Sequence, residues 1–121
     1  MNILNLNIEI KNKLSHAGLL INKGKITKAI KVYEKLIKKY PNNISILHMS
    51  GYALIKNDQK KEAEERFKKA ITIDSNHLEL NLDYCNLLIE SKKYDEANKY
   101  INSLINKFSK DPKIIYMRGC L

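Results

Sequence analysis

The stretch ISILHMSGYALIKNDQKKEAEERFKKAITIDSNH, residues 44–77, decides the reading of this chain. Its first part, Ile44 to Asn57, sets Ile44, Leu47, Gly51, Leu54 and Ile55 at helical spacing. Its second part, Lys60 to Ile73, does the same with Ala63, Phe67, Ala70 and Ile71. The connection Lys56-Asn57-Asp58-Gln59-Lys60 is a short polar turn, so the two helices are antiparallel neighbours. Gly51 and Ala63 are small where two helices must approach closely, and Phe67 is large where the next helix leaves a gap.

The same unit lies on either side of this stretch. Ala29, Ala63 and Ala97 stand 34 residues apart, and four positions later come Tyr33, Phe67 and Ile101. Nine positions before each Ala are Leu20, Leu54 and Leu88; three before those are the small residues Ala17, Gly51 and Cys85. Seven after each Ala are Leu36, Ala70 and Leu104. One phase holds across the chain without an insertion, the signature of stacked repeats. Between copies stand turn and cap residues: Pro41-Asn42-Asn43, Asp74-Ser75-Asn76 and Asp111-Pro112, the last an N-cap Asp with Pro at the first helical position.

This 34-residue helix-turn-helix pattern resembles the tetratricopeptide repeat over about residues 10 to 121. Copy two matches best, with Leu47, Gly51, Leu54, Ala63, Phe67 and Ala70, and Ser75 in the Pro place. Copy one has Ala17, Leu20, Ala29, Tyr33 and Pro41, but Lys13 and His16 stand where apolar residues are expected. Copy three has Cys85, Leu88, Tyr94, Ala97, Ile101 and Leu104, with Asn81 in the Trp place. The resemblance implies an all-α, right-handed α-solenoid of antiparallel helix pairs, with about seven helices. Its organisation would be an N-terminal lead-in (1–9), repeats at 10–43, 44–77 and 78–111, and a partial fourth repeat or capping helix at 112–121.

The resemblance also implies a concave groove, lined by the first helix of each repeat, that binds a peptide or protein segment. Projected onto this chain, the lining is Lys11, Leu14, Ser15 and Gly18, then Ser45, His48, Met49, Tyr52 and Lys56. Copy three adds Glu79, Leu82, Asp83, Asn86 and Glu90, and the last helix adds Tyr116 and Met117. The candidate groove residues are thus Leu14, His48, Met49, Tyr52, Leu82, Asp83, Asn86 and Tyr116. Met49 and Tyr52 suit gripping a partner side chain, or else they pack between helices. The family's best-known ligand chemistry clamps C-terminal carboxylates of heat-shock chaperones with Lys, Arg and Asn. The matching positions here are Leu14, Gly18, Met49, Glu79 and Asp83, so a chaperone tail is not the expected ligand.

Charge is distributed unevenly. The net charge of +9 comes from 20 Lys, 2 Arg and 13 acids, with nine Lys against one acid in residues 10–43. Lys28, Lys31, Lys35 and Lys38 form a stripe opposite Ala29, Tyr33 and Leu36, a candidate basic patch for an acidic protein, nucleic acid or an anionic membrane. The competing reading is a solvated face in a Lys-, Asn- and Ile-rich composition typical of AT-rich coding. With only two Arg for base readout, nucleic acid and membrane are the less favoured partners.

Chemistry-bearing motifs are scarce. No Gly-rich phosphate loop, His-Glu-x-x-His or Cys-x-x-Cys occurs, and His16, His48 and His77 stand about 30 residues apart. No metal, cofactor or catalytic residue is expected, and the chain reads as a non-enzymatic protein-interaction scaffold. An adaptor portion of a longer enzyme is the remaining alternative. Cys85 and Cys120 form no disulfide framework, and no apolar run approaches the length of a membrane helix or a signal segment, which points to a cytoplasmic protein. The final helix, Pro112 to Leu121, carries Ile114, Ile115, Met117 and Leu121. Either the natural chain continues past Leu121, or two chains pair weakly through this edge.

Overall fold

The computed structural model describes residues 3–108 and 111–112, which form six helices and no strand. These are α1 (Ile3–Asn22), α2 (Ile26–Lys39), α3 (Ile44–Lys56), α4 (Lys60–Ile73), α5 (Leu78–Glu90) and α6 (Tyr94–Lys107). Of the expected seventh helix, residues 112–121, all but Pro112 lie outside the described residues, and so do Tyr116 and the C-terminal edge expected to pair. Residues 3–9, expected as a lead-in, belong to α1. The helical period simply runs on upstream, with Leu6 half-buried and Ile10 buried.

Turn chemistry repeats at the same period as the core. Gly24, Asp58 and Lys92 all adopt positive φ, at 76°, 61° and 62°. At each, the next residue's N–H reaches back over the turn: Lys25 to the Leu20 carbonyl (2.8 Å), Gln59 to Leu54 (2.8 Å) and Lys93 to Leu88 (2.9 Å). These left-handed turns satisfy carbonyls that a helix end would otherwise leave bare. The turns between copies use side-chain caps instead. Asn43 Oδ1 accepts from the Ile46 N–H, and His77 Nδ1 accepts from the Leu80 N–H, each at 3.1 Å.

The chain divides into two compact units at Asp74/Ser75. In the first, α1 packs on α2, α2 on α3 and α3 on α4. Ala29, Tyr33, Leu47, Leu54, Ala63 and Phe67 are buried there, and Gly51 meets the Phe67 ring so closely that a Cβ would lie 2.3 Å from it. Two ion pairs tie distant turns together. Lys39 Nζ lies 3.0 Å from Glu9 Oε1, with Tyr40 also donating to that carboxylate, and Arg66 Nη2 on α4 reaches both Glu34 oxygens on α2 at 2.8 and 2.9 Å. Lys39 holds the Glu9 carboxyl below its ordinary value.

In the second unit α5 packs on α6 around Leu82, Cys85, Ile101 and Leu104, with Leu78, Ile89, Tyr100, Ile105 and Phe108 at the margin. Asn81, in the place where the resemblance expects Trp, is buried and fully engaged. Its Nδ2 donates to the carbonyls of Ser75 (3.0 Å) and His77 (2.8 Å), and its Oδ1 accepts from the Tyr100 hydroxyl. A polar group of this kind is tolerated in a core because both amide protons and the carbonyl oxygen have partners.

Candidate functional site

In the first unit, α1 and α3 flank a cleft of about 510 Å³. Its lining is Asn7, Ile10, Lys11, Leu14, Ser15 and Gly18 from α1, with Asn43, Ser45 and Met49 from α3 and its cap. The helical period builds it: Asn7, Lys11, Leu14 and Gly18 recur at four and three residues, so they share one face. Gly18 leaves room there, because a Cβ added at this position meets nothing within 4 Å. Met49 is 36% exposed and Leu14 half-buried, so apolar atoms remain open to an incoming group. Among the described residues Lys11 is the one charged residue of the lining.

Of the residues read as groove candidates, the structure brings Leu14 and Met49 together in this cleft. Tyr52 is exposed one turn beyond Met49, with Lys56 Nζ 5.1 Å from its ring centroid, and is outside the lining. His48 turns toward the core, where its ring meets Phe67 edge-on at 5.7 Å. In the second unit Leu82 is a core residue packed in the Cys85–Ile101–Leu104 cluster, so it is not a groove surface. Asp83 is half-buried and Asn86 exposed, three residues apart on α5. Asn7, Ile10 and Asn43 were missed by the sequence reading. Placing the start of α1 before Ile10 would have brought in the first two by period alone.

The Lys28, Lys31, Lys35 and Lys38 stripe is exposed along α2, and none of the four makes an ion pair among the described residues. Burial pushes the Cys85 thiol up to about 12, which leaves it protonated and a poor nucleophile at neutral pH. Among the described residues no group of three or more His, Cys, Asp or Glu could hold a metal ion, and no helix is long and apolar enough to cross a membrane.

Three tetratricopeptide repeat models match the chain, over residues 14–43, 32–65 and 54–118. Tetratricopeptide repeat protein 21B of Xenopus laevis is 31% identical over 86 residues, 71% of this chain but only 6% of that protein. The Sgt2 TPR domain from Aspergillus fumigatus superposes with a TM-score of 0.79 at 16% identity, covering 93% of this chain and 76% of that one. The second TPR domain of human RPAP3, in complex with the HSP70 peptide SGPTIEEVD, gives a TM-score of 0.74 at 17% identity, covering 88% and 89%. With the 34-residue spacing of core, turn and cap residues, these matches show that the chain belongs to the tetratricopeptide repeat family.

Proposed function

We propose that the chain is a non-enzymatic interaction scaffold that takes a peptide or protein segment in the cleft between α1 and α3. The observation that carries this reading is the cleft itself, with open space over Gly18 and apolar atoms of Ile10, Leu14 and Met49 on its walls. A cavity of this size accepts one or two peptide side chains, and a preformed one orders little of the receptor on binding. The lining selects an apolar anchor residue, with Asn7, Ser15, Asn43 and Ser45 available to its polar flanks and Lys11 to one acid. The peptide carried by the RPAP3 domain supports the use of this kind of fold for short segments.

A chaperone C-terminal carboxylate is not the ligand we propose. Leu14, Gly18, Met49, Glu79 and Asp83 supply neither a cation nor an amide at the matching positions, and the two acids repel a carboxylate. The test is selection of peptides from a displayed random library on the immobilised protein. Selected peptides carry one apolar anchor, and Gly18→Leu, which fills the cleft without touching the core, weakens them about tenfold or more. Unchanged affinity in Gly18→Leu and Met49→Ala, both folded by circular dichroism, refutes this site.

A further inference from the structure

Copy one departs from the repeat pattern at Lys13 and His16, and the departure opens a second cleft. One copy on, the equivalent positions are Leu47 and Ser50, both fully buried; two copies on they are Asn81 and Tyr84, again buried. At that place in copy two a helix covers the edge: α2 packs on α3, and Arg66 of α4 reaches Glu34 of α2. Among the described residues no element stands at the corresponding edge of α1 and α2. There, instead, lies a cleft of about 340 Å³ lined by Lys13, His16, Val32, Lys35, Leu36 and Lys39.

We propose that this outer edge of α1 and α2 docks an acidic amphipathic helix of a partner protein, which stands where a preceding repeat's second helix would stand. Its apolar stripe rests on the half-buried Val32 and the aliphatic stems of the flanking lysines, over a floor closed by Leu36, and its carboxylates face Lys13 and Lys35. Continuity with the stacking seen one copy on makes the occupant a helix, since α2 fills that role for copy two. Charge complementarity makes it acidic: residues 10–43 hold nine Lys and one acid, and Lys13 and Lys35 are exposed. The chain already holds a carboxylate at one end of this cleft, where Glu9 bonds Lys39 and Tyr40. A nucleic acid fits less well, because among the lining residues only the His16 ring could stack on a base and no Arg lines the cleft for bidentate readout.

The experiment is fluorescence anisotropy with the whole chain and a labelled synthetic helix of about four turns, with Leu along one stripe and Glu flanking it. The glutamate peptide binds, and the double variant Lys13→Glu with Lys35→Glu weakens it about tenfold or more. The same variant now prefers a peptide with Lys in place of Glu, a rescue that a misfolded protein would not give. Replacing the Leu stripe by Ser also weakens binding, whereas Met49→Ala in the other cleft leaves it unchanged. Equal binding of the Glu and Lys peptides by the unmodified chain overturns the proposal. So does insensitivity to the double variant, loss of binding in Met49→Ala, or tighter binding of a single-stranded oligonucleotide or phosphatidylserine vesicle than of the peptide.

Discussion

Gly51→Ala is the sharpest probe of how the first unit is held together. A Cβ at Gly51 would lie 2.3 Å from Cε1, 2.7 Å from Cδ1 and 3.0 Å from Cζ of Phe67. Ordinary carbon contacts lie at about 3.5–4.0 Å, so the ring must retreat by more than about an ångström. It has nowhere cheap to go, because Phe67 is 1% exposed and its ring is also in contact with His48. Overpacking of this kind costs about 1–3 kcal/mol, and the distances place Gly51 at the upper end. Against it, Ala is the better helix former by about 1 kcal/mol. The net is a loss of about 1–2 kcal/mol. In a domain of about 60–100 residues each kcal/mol moves Tm by about 4–8 °C. Gly18→Ala is the matched control, since the added Cβ there meets nothing within 4 Å and only the propensity gain remains. Urea and thermal unfolding followed by far-UV circular dichroism should therefore move the two variants in opposite directions. If Gly51→Ala is as stable as the parent, or the two variants shift together, the close contact between α3 and Phe67 is not where the structure puts it.

Three further outcomes follow from local features. Lys92→Gly relieves a left-handed backbone at φ 62° and should raise the urea midpoint by the equivalent of up to about 1 kcal/mol; a lower midpoint would mean the turn is not strained. Tyr33 is fully buried and its hydroxyl has no hydrogen-bond partner among the described residues, so Tyr33→Phe should be neutral or stabilising by up to about 1 kcal/mol; a clear loss in denaturant unfolding would reveal a bonded hydroxyl. Cys85 should resist iodoacetamide in the native protein at neutral pH and react on unfolding, as read by mass spectrometry at that residue. Because burial raises its pKa from 9.0 to about 12, the folded state binds the proton more tightly, so this contribution to stability is complete below pH 9.0 and is lost as pH climbs toward 12. Rapid native alkylation would contradict the burial.

The repeat length, the helix pairs and the small size required at Gly51 and Ala63 were all legible in the sequence, whereas the contact of Gly51 with Phe67 came from the structure. The reason is physical: a stacked repeat buries the same positions each time, so one constraint is written three times at a fixed interval and survives degenerate residues. The exposure of the Lys28 to Lys38 stripe followed from the same period. Tertiary structure decided what depends on neighbours that no period encodes. His48 and Leu82 sit on the faces the pattern assigns to a groove, yet one meets Phe67 and the other joins the Cys85 cluster. Asn81 looked like a defect in the pattern until Tyr100, nineteen residues away, and two carbonyls satisfied it. Lys13 and His16 looked like weak matches for the same reason. Only the packing of α1 on α2 shows that they line an open edge with Lys35 and Lys39, because a cleft is made by two helices and belongs to neither.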